Sequence, residues 1–175
     1  MMIPLDLSNI PLSDNHCHGI FQTQAPADLT AWRRLFTESF DPVMQSTHVA
    51  TTLFYRRLIH EMAAFFECEP TEEAVLAARQ QYDDQNLISK FLRTANFDVL
   101  FVDKGYPPPV MLLSDATVSD LANCRVAPML RVELLMQRLI AENTTLSAVV
   151  EALRSALNDV RGQGYVALKS IVAYR

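Results

Sequence analysis

Four short segments with the composition of buried β-strands alternate with longer helical segments, and this alternation restricts the folds open to the chain. A continuous apolar run such as Phe97–Val102, bounded by turn residues, is typical of a strand covered on both faces in a parallel sheet. Pro128 weakens the third segment as a strand because it lacks a backbone donor. Strands separated by helices predict βα units and a parallel α/β fold. The four segments are 11–18, 97–102, 125–133 and 165–172.

Between the first two strands lies a helix-rich stretch that is much longer than an ordinary βα connection. Thr71, followed by Glu72 and Glu73, has the pattern of a helix start, and a break is expected near Asp83-Asp84. Because βα connections lie on the catalytic face of a barrel, we expect residues 27–94 to form a helical insertion or cap. The other predicted helices cover 114–123, 134–142 and 146–161.

The number of strands predicts half of a barrel. A complete eight-stranded (β/α)8 barrel, the TIM-type fold, needs about 250 residues, whereas this chain has 175. With about four βα units, residues 1–175 are therefore expected to form a partial barrel, its N-terminal half, with the 27–94 insertion between strands 1 and 2. Such a half would need either the C-terminal half or a second copy of itself as a partner, since open strand edges invite pairing.

Composition excludes several classes of protein. Half of the residues are hydrophobic and the net charge is -5, as in a globular domain with a substantial core. No basic run indicates nucleic-acid binding, and neither a leader sequence nor a long apolar stretch indicates a membrane. Three widely spaced cysteines, Cys17, Cys68 and Cys124, favour free thiols over a disulfide framework. These features together predict a cytoplasmic protein.

The tetrapeptide His16-Cys17-His18-Gly19 closes the first predicted strand and is the best candidate for chemistry. Side chains alternate along a strand, so His16 and His18 point to one side and Cys17 to the other. Two imidazoles on one side can bind a single metal ion, although a catalytic site needs further protein ligands. Two solvent-facing histidines at a strand end would give the same pattern.

In the positions of its polar residues relative to the predicted strands, the chain resembles the amidohydrolase superfamily, in particular its amidohydrolase-2-type branch. The resemblance rests on His16-Cys17-His18, on 103–106 after the second strand, on 130–133 and on 168–175. It implies a divalent metal, zinc with manganese or iron as alternatives, held by His16 and His18. It also implies that Lys169 matches the lysine that ends strand four and can be carbamylated to bridge two metals.

The remaining candidates lie at predicted strand ends, where barrel enzymes place their chemistry. Lys169 in an apolar strand needs an explanation: a metal-binding or catalytic role, or an amine that reaches the strand end or pairs with Glu133. Asp103, Arg131 and Glu133 are candidates for substrate binding. Arg131 and Glu133 share a face by the period of two and are expected to pair with each other or with substrate.

The resulting expectation is a metal-dependent hydrolase acting on an amide, ester or related C–N or C–O bond of a small molecule. Two alternatives remain open: a decarboxylase or sugar-acid isomerase on the same barrel, and a non-catalytic half-barrel that assembles with a partner. His48 and His60 fall in helical sequence and are expected to be ordinary helix residues. The 175-residue chain alone is expected to be inactive.

Overall fold

The computed structural model describes residues 9–22 and 26–174. These residues form two compact units. The first unit, 9–22 with 88–174, contains a four-stranded sheet, and the second, 26–87, is helical.

The four strands form a parallel sheet in the order of the sequence, β1-β2-β3-β4. The predicted parallel α/β arrangement is thus confirmed. Because all strands run the same way, their carboxyl ends meet at one edge of the sheet, here called the carboxyl edge. The strands are β1 Leu12–His18, β2 Phe97–Asp103, β3 Arg125–Arg131 and β4 Ala167–Lys169.

Helices follow the predicted segments closely. Thr71 caps its helix by accepting a hydrogen bond from the Ala74 N–H (3.3 Å), and the predicted break falls between Arg79 and Asp84. Among the described residues, no helix is both long and apolar enough to cross a bilayer. The α-helices are α1 Leu29–Arg34, α2 Leu53–Phe66, α3 Glu72–Arg79, α4 Asp84–Thr94, α5 Asp115–Ala122, α6 Val132–Glu142 and α7 Leu146–Asn158.

Two predicted strands are too long. β3 ends at Arg131 and α6 begins at the next residue, so Glu133 lies in the first turn of a helix. The expectation that Arg131 and Glu133 share a strand face and pair with each other is therefore wrong. β4 covers only Ala167–Lys169 because its partner β3 ends at Arg131, the residue that pairs with Lys169, and Leu168 stays 53% exposed.

The core of the sheet-containing unit lies between the sheet and its helices. Leu100 and Val102 of β2 pack against Val118 of α5, and Cys17 packs against the same cluster. Burial raises the pKa of the Cys17 thiol to about 11. Cys17 therefore stays protonated near neutral pH and serves as a small core residue. Because the Cys17 side chain points into the core, the side chains of the flanking histidines lie on the opposite face of β1.

A polar cluster joins α1, α2 and α3 in the second unit. The Glu72 carboxylate of α3 accepts hydrogen bonds from Arg33 Nε of α1 (2.9 Å) and from the Tyr55 hydroxyl of α2 (2.8 Å). Tyr55 is 2% exposed. The Arg33 hydrogen bond lowers the pKa of Glu72 below its ordinary value of 4.5, against the opposing effect of burial. Glu72 is therefore expected to contribute stability only while it is ionised.

Replacing Glu72 with glutamine is expected to lower the free energy of unfolding near neutral pH. A carboxylate with a depressed folded-state pKa stabilises fully above its unfolded pKa, and this contribution disappears as the pH falls through the folded value. The difference between wild type and E72Q should therefore shrink on acidification. Urea unfolding over a pH series measures it, with E73Q at the exposed neighbouring position as the control. A difference independent of pH would contradict this explanation.

Candidate metal centre

Three potential metal ligands meet at the carboxyl edge of the sheet. His16 and His18 come from the end of β1, and Asp103 is the last residue of β2. One ligand atom from each residue lies within 4.8 Å of those of the other two. His18 and Asp103 are direct partners in the parallel pairing of β1 with β2, which accounts for their proximity. These three residues are called the metal centre below.

A β-bulge in β1 precedes the histidines. Asp14 pairs with Leu100 and Cys17 with Val102, so β1 contains one residue more than β2 over this interval. The Asp14 carboxylate accepts a hydrogen bond from the His16 backbone N–H (3.1 Å), which gives that donor a partner. Bulges commonly redirect side chains next to functional sites. Here both His16 and His18 lie on the face opposite Cys17.

The His18 ring is oriented by a backbone carbonyl. His18 Nδ1 lies 2.9 Å from the Tyr106 carbonyl oxygen. A carbonyl oxygen only accepts, so Nδ1 carries a proton, and in the neutral ring the lone pair is on Nε2. An imidazole held in this way by its second nitrogen is the usual arrangement of metal-binding histidines. The His18 ring also makes an edge contact with the Tyr106 ring, at 5.8 Å between centroids.

Asp103 is completely buried and its carboxylate is held at both oxygens. Oδ1 accepts a hydrogen bond from the Gly105 N–H (2.8 Å), and Oδ2 accepts from Arg131 Nε (3.1 Å) and Nη2. His16 Nε2 lies 3.7 Å from the same Oδ2. Burial acts to raise the pKa of Asp103, but the Arg131 and Gly105 hydrogen bonds outweigh it and hold the pKa below its ordinary value. Asp103 is therefore an ionised, fixed carboxylate.

Gly105 allows Arg131 to reach Asp103. A Cβ atom at Gly105 would lie 2.5 Å from both Cδ and Nε of Arg131, closer than side chains approach each other. The turn after β2 therefore needs a residue without a side chain here. Glycine at this position both donates to Asp103 and leaves room for its guanidinium partner.

Replacing Gly105 with alanine is expected to lower the free energy of unfolding by about 1–3 kcal/mol, as overpacking does. The cost arises because the new methyl group displaces Arg131 from Asp103. A double-mutant cycle with R131Q tests the cause, since coupled residues are non-additive. In the R131Q background G105A can no longer break the ion pair with Asp103, so it should cost less, although glutamine keeps the Cβ and Cδ atoms that crowd the new methyl group. A full, additive cost there would contradict the explanation.

The other two predicted site residues lie farther along the sheet. Lys169 pairs directly with Arg131, so it shares the face of the metal centre, but β4 stands two strand spacings, about 10 Å, from β2. Glu133 accepts hydrogen bonds from the Ser170 hydroxyl (2.5 Å) and the Ile171 N–H (2.8 Å). The Ser170 hydrogen bond lowers the pKa of Glu133. Glu133 thus hydrogen-bonds to the chain after β4, and no ion pair joins it to Lys169 or Arg131 in the described part of the chain.

Sequence reasoning missed two contributors and assigned a third differently. It placed Asp103 among the substrate-binding residues, whereas the structure places its carboxylate against both histidines. Gly105 and Tyr106 entered the sequence analysis only as part of the 103–106 segment, with no role of their own. The available signal was their position directly after the carboxyl end of a parallel strand, where α/β proteins place their binding sites.

Strand order and metal centre together define a class: an α/β protein with a candidate metal centre at the carboxyl edge of a parallel sheet. The fold is similar to a crystal structure from Lactobacillus casei ATCC 334 of a protein proposed to be a metal-dependent hydrolase, with a TM-score of 0.73 and 20% sequence identity. The similarity covers 97% of this chain and 44% of the other, so the chain spans less than half of that protein. No protein-family model and no curated protein matches the sequence.

Proposed function

We propose that the chain is the N-terminal half of an amidohydrolase-type metal-dependent hydrolase, acting on an amide, ester or related bond of a small molecule. The observation that carries the proposal is the convergence of His16, His18 and Asp103 at the carboxyl edge. Barrel enzymes place their catalytic groups at that edge. The Lactobacillus casei structure, itself proposed to be a metal-dependent hydrolase, supports the same reading.

The sheet supports a TIM-type barrel over other parallel α/β folds. Its strands follow each other in sequence order, as in a (β/α)8 barrel, whereas doubly wound sheets reverse order at a switch point. We propose that 1–175 forms half of such a barrel and that 27–94 is a helical insertion between β1 and β2. Chain order supports this insertion, because the segment follows directly from the strand that bears both histidines.

The donor set fits a divalent metal. Two neutral imidazoles and one carboxylate are a common ligand set of hydrolytic zinc, and iron and manganese accept the same donors. The fixed tautomer of His18 leaves Nε2 free to bind, and Asp103 is ionised and buried. A bound divalent ion lowers the pKa of a water molecule and polarises a carbonyl.

We propose the following roles for the surrounding side chains. Arg131 holds Asp103 in place and offers its remaining N–H groups to substrate. Lys169, on the same face, is the candidate for a further ligand or for moving a proton near the substrate. Glu133 fixes the chain that follows β4 and so supports Lys169 from a distance.

The partner proposal rests on the open edges of the sheet. β1 and β4 each pair on one side only among the described strands, and Leu168 and Val166 of the β4 region are 53% and 44% exposed. We propose that the second half of a barrel, or a second copy of this chain, pairs with these edges. Light scattering after gel filtration distinguishes a self-assembled dimer from a monomer that awaits its other half.

Titration of the metal-free chain with zinc and cobalt tests the proposed function. We expect one saturable equivalent, and with cobalt the visible absorption bands of a metal bound by nitrogen and oxygen ligands. Binding no stronger than that of an H16A/H18A double variant would overturn the metal centre. Hydrolysis by the zinc-loaded chain alone would contradict the half-barrel part of the proposal, since that part requires a partner for turnover.

A further inference from the structure

A cleft of about 210 Å³ lies beside the metal centre. It is formed at the carboxyl end of β3, the turn after β2, the first turns of α6 and the segment before β4. Among the residues that the structure describes, no acidic side chain lines it. Its polar lining consists of three cations and two neutral groups: Lys104, Arg131, Arg138, Gln163 and Tyr165.

The three cationic side chains of this cleft differ in how closely a carboxylate pairs with each of them. Arg131 is paired with buried Asp103, and Lys104 is paired with Asp115. Arg138 has one ion-pair partner within the described ranges, Glu142 at 4.0 Å, and both side chains are more than half exposed. Such an exposed pair contributes little and leaves the charge of Arg138 available. Since both carboxylates that hold Lys104 and Arg131 lie outside the lining, the cleft itself presents donors and positive charge.

The cleft adjoins the metal centre through shared residues. Arg131 and Gly105 line the cleft, and the same two residues donate hydrogen bonds to Asp103. The volume is below that of pockets that enclose a whole drug-sized ligand, about 300–1,000 Å³. It therefore suits one substituent of a molecule whose reacting group lies at the metal centre.

We propose that this cleft binds an oxyanionic group, a carboxylate or a phosphate, of the substrate. The link to a substrate rests on the proposed function, whereas binding of the anion itself does not. Guanidinium groups bind both oxyanions through charge-assisted hydrogen bonds. The Tyr165 hydroxyl is a neutral donor at the same surface, and the Gln163 amide, which already donates to the Ala156 carbonyl (2.9 Å), has a second N–H. The substrate class is thus a small organic acid or phosphate ester whose scissile bond lies near the anion.

The test uses the metal-free 175-residue chain, labelled with nitrogen-15, and two probes: inorganic phosphate and succinate. Each probe is added at constant ionic strength against chloride, so that general screening is matched. We expect saturable shifts of the amide resonances of Gly105, Gln163 and Tyr165. R138E should weaken the binding of either probe at least about tenfold, since a charge-assisted contact becomes a repulsion. R154E, an equally exposed charge reversal on α7 away from the cleft, should leave it unchanged.

The possible outcomes test the anion-binding cleft and the metal centre independently. Saturable shifts that R138E weakens and R154E does not support the proposal, and the stronger probe identifies the preferred oxyanion. Shifts no larger than those with chloride, or equal weakening by both variants, overturn it. Shifts that appear only after zinc is added, centred on His16 and His18, assign the anion to the metal and also overturn the cleft. Failure of zinc to bind while the anion still binds overturns the proposed function and leaves the cleft intact.

Discussion

Replacing His18 with alanine is expected to weaken zinc binding by at least about a hundredfold. His18 supplies one of the three donors of the metal centre, and its ring is already held in the binding tautomer by the Tyr106 carbonyl. Loss of an outer-shell partner alone commonly costs 10–100-fold in metal affinity, so loss of the ligand itself should cost more. Competition with a chromophoric chelator measures the zinc affinity.

The control for this variant is His60, an exposed histidine of α2 in the helical unit. H60A should bind zinc as the wild type does. Equal losses in H18A and H60A would show that zinc binds to scattered histidines. An unchanged affinity in H18A, with H16A also unchanged, would remove the metal centre altogether. Far-ultraviolet circular dichroism of each variant separates lost ligation from lost folding.

The second prediction with a large effect concerns the ion pair between Asp103 and Arg131. R131Q is expected to lower the free energy of unfolding by about 3 kcal/mol, because it leaves the charge of Asp103 buried without its partner. Asp103 is 0% exposed and Arg131 only 14%, so water cannot replace the guanidinium. Urea unfolding gives the value. R125Q, at the exposed start of the same strand, should stay within about 0.5 kcal/mol of wild type.

A double variant identifies the cause of this loss. D103N/R131Q removes the buried charge together with its partner, and it should recover part of the stability that R131Q loses. If the double variant is less stable than R131Q by the full cost of D103N, the two residues act independently and the ion-pair explanation is wrong. The zinc affinity of D103N should fall in parallel with that of H18A, since an amide is a poorer ligand than a carboxylate.

The sheet could be predicted from the sequence because its strands carry a strong local signal. The apolar run of β2 and the helical periodicity on either side of it require no knowledge of tertiary contacts. The end of β3 could not be located in this way. Val132 continues the β-prone pattern, and only tertiary packing ends the strand at Arg131. An acidic residue in the first turn, Glu133, was the one local sign of a helix start.

The metal centre could be predicted only in part from the sequence, for a related reason. His16 and His18 lie within three residues of each other, so the alternation of a strand brings them together. Asp103 joins them through the register of β1 against β2, which depends on a bulge at 14–17. Nothing in the local sequence fixes a bulge or a register. The cleft with Arg138 and Tyr165 depends in the same way on how α6 and β4 are placed.

Arg131 belongs to two sites of opposite preference, and this has a thermodynamic consequence. It holds a carboxylate that would bind a cation, and it lines a cleft suited to an anion. A divalent ion bound to Asp103 would offset the negative charge that now neutralises Arg131. The electrostatic potential in the cleft would then become more positive and would attract an anion more strongly. Linkage requires the effect to be reciprocal: whatever factor the metal adds to anion affinity, the anion adds to metal affinity. The metal and the anion should therefore bind cooperatively. Each dissociates less readily when the other is bound, so each can bind at a lower concentration.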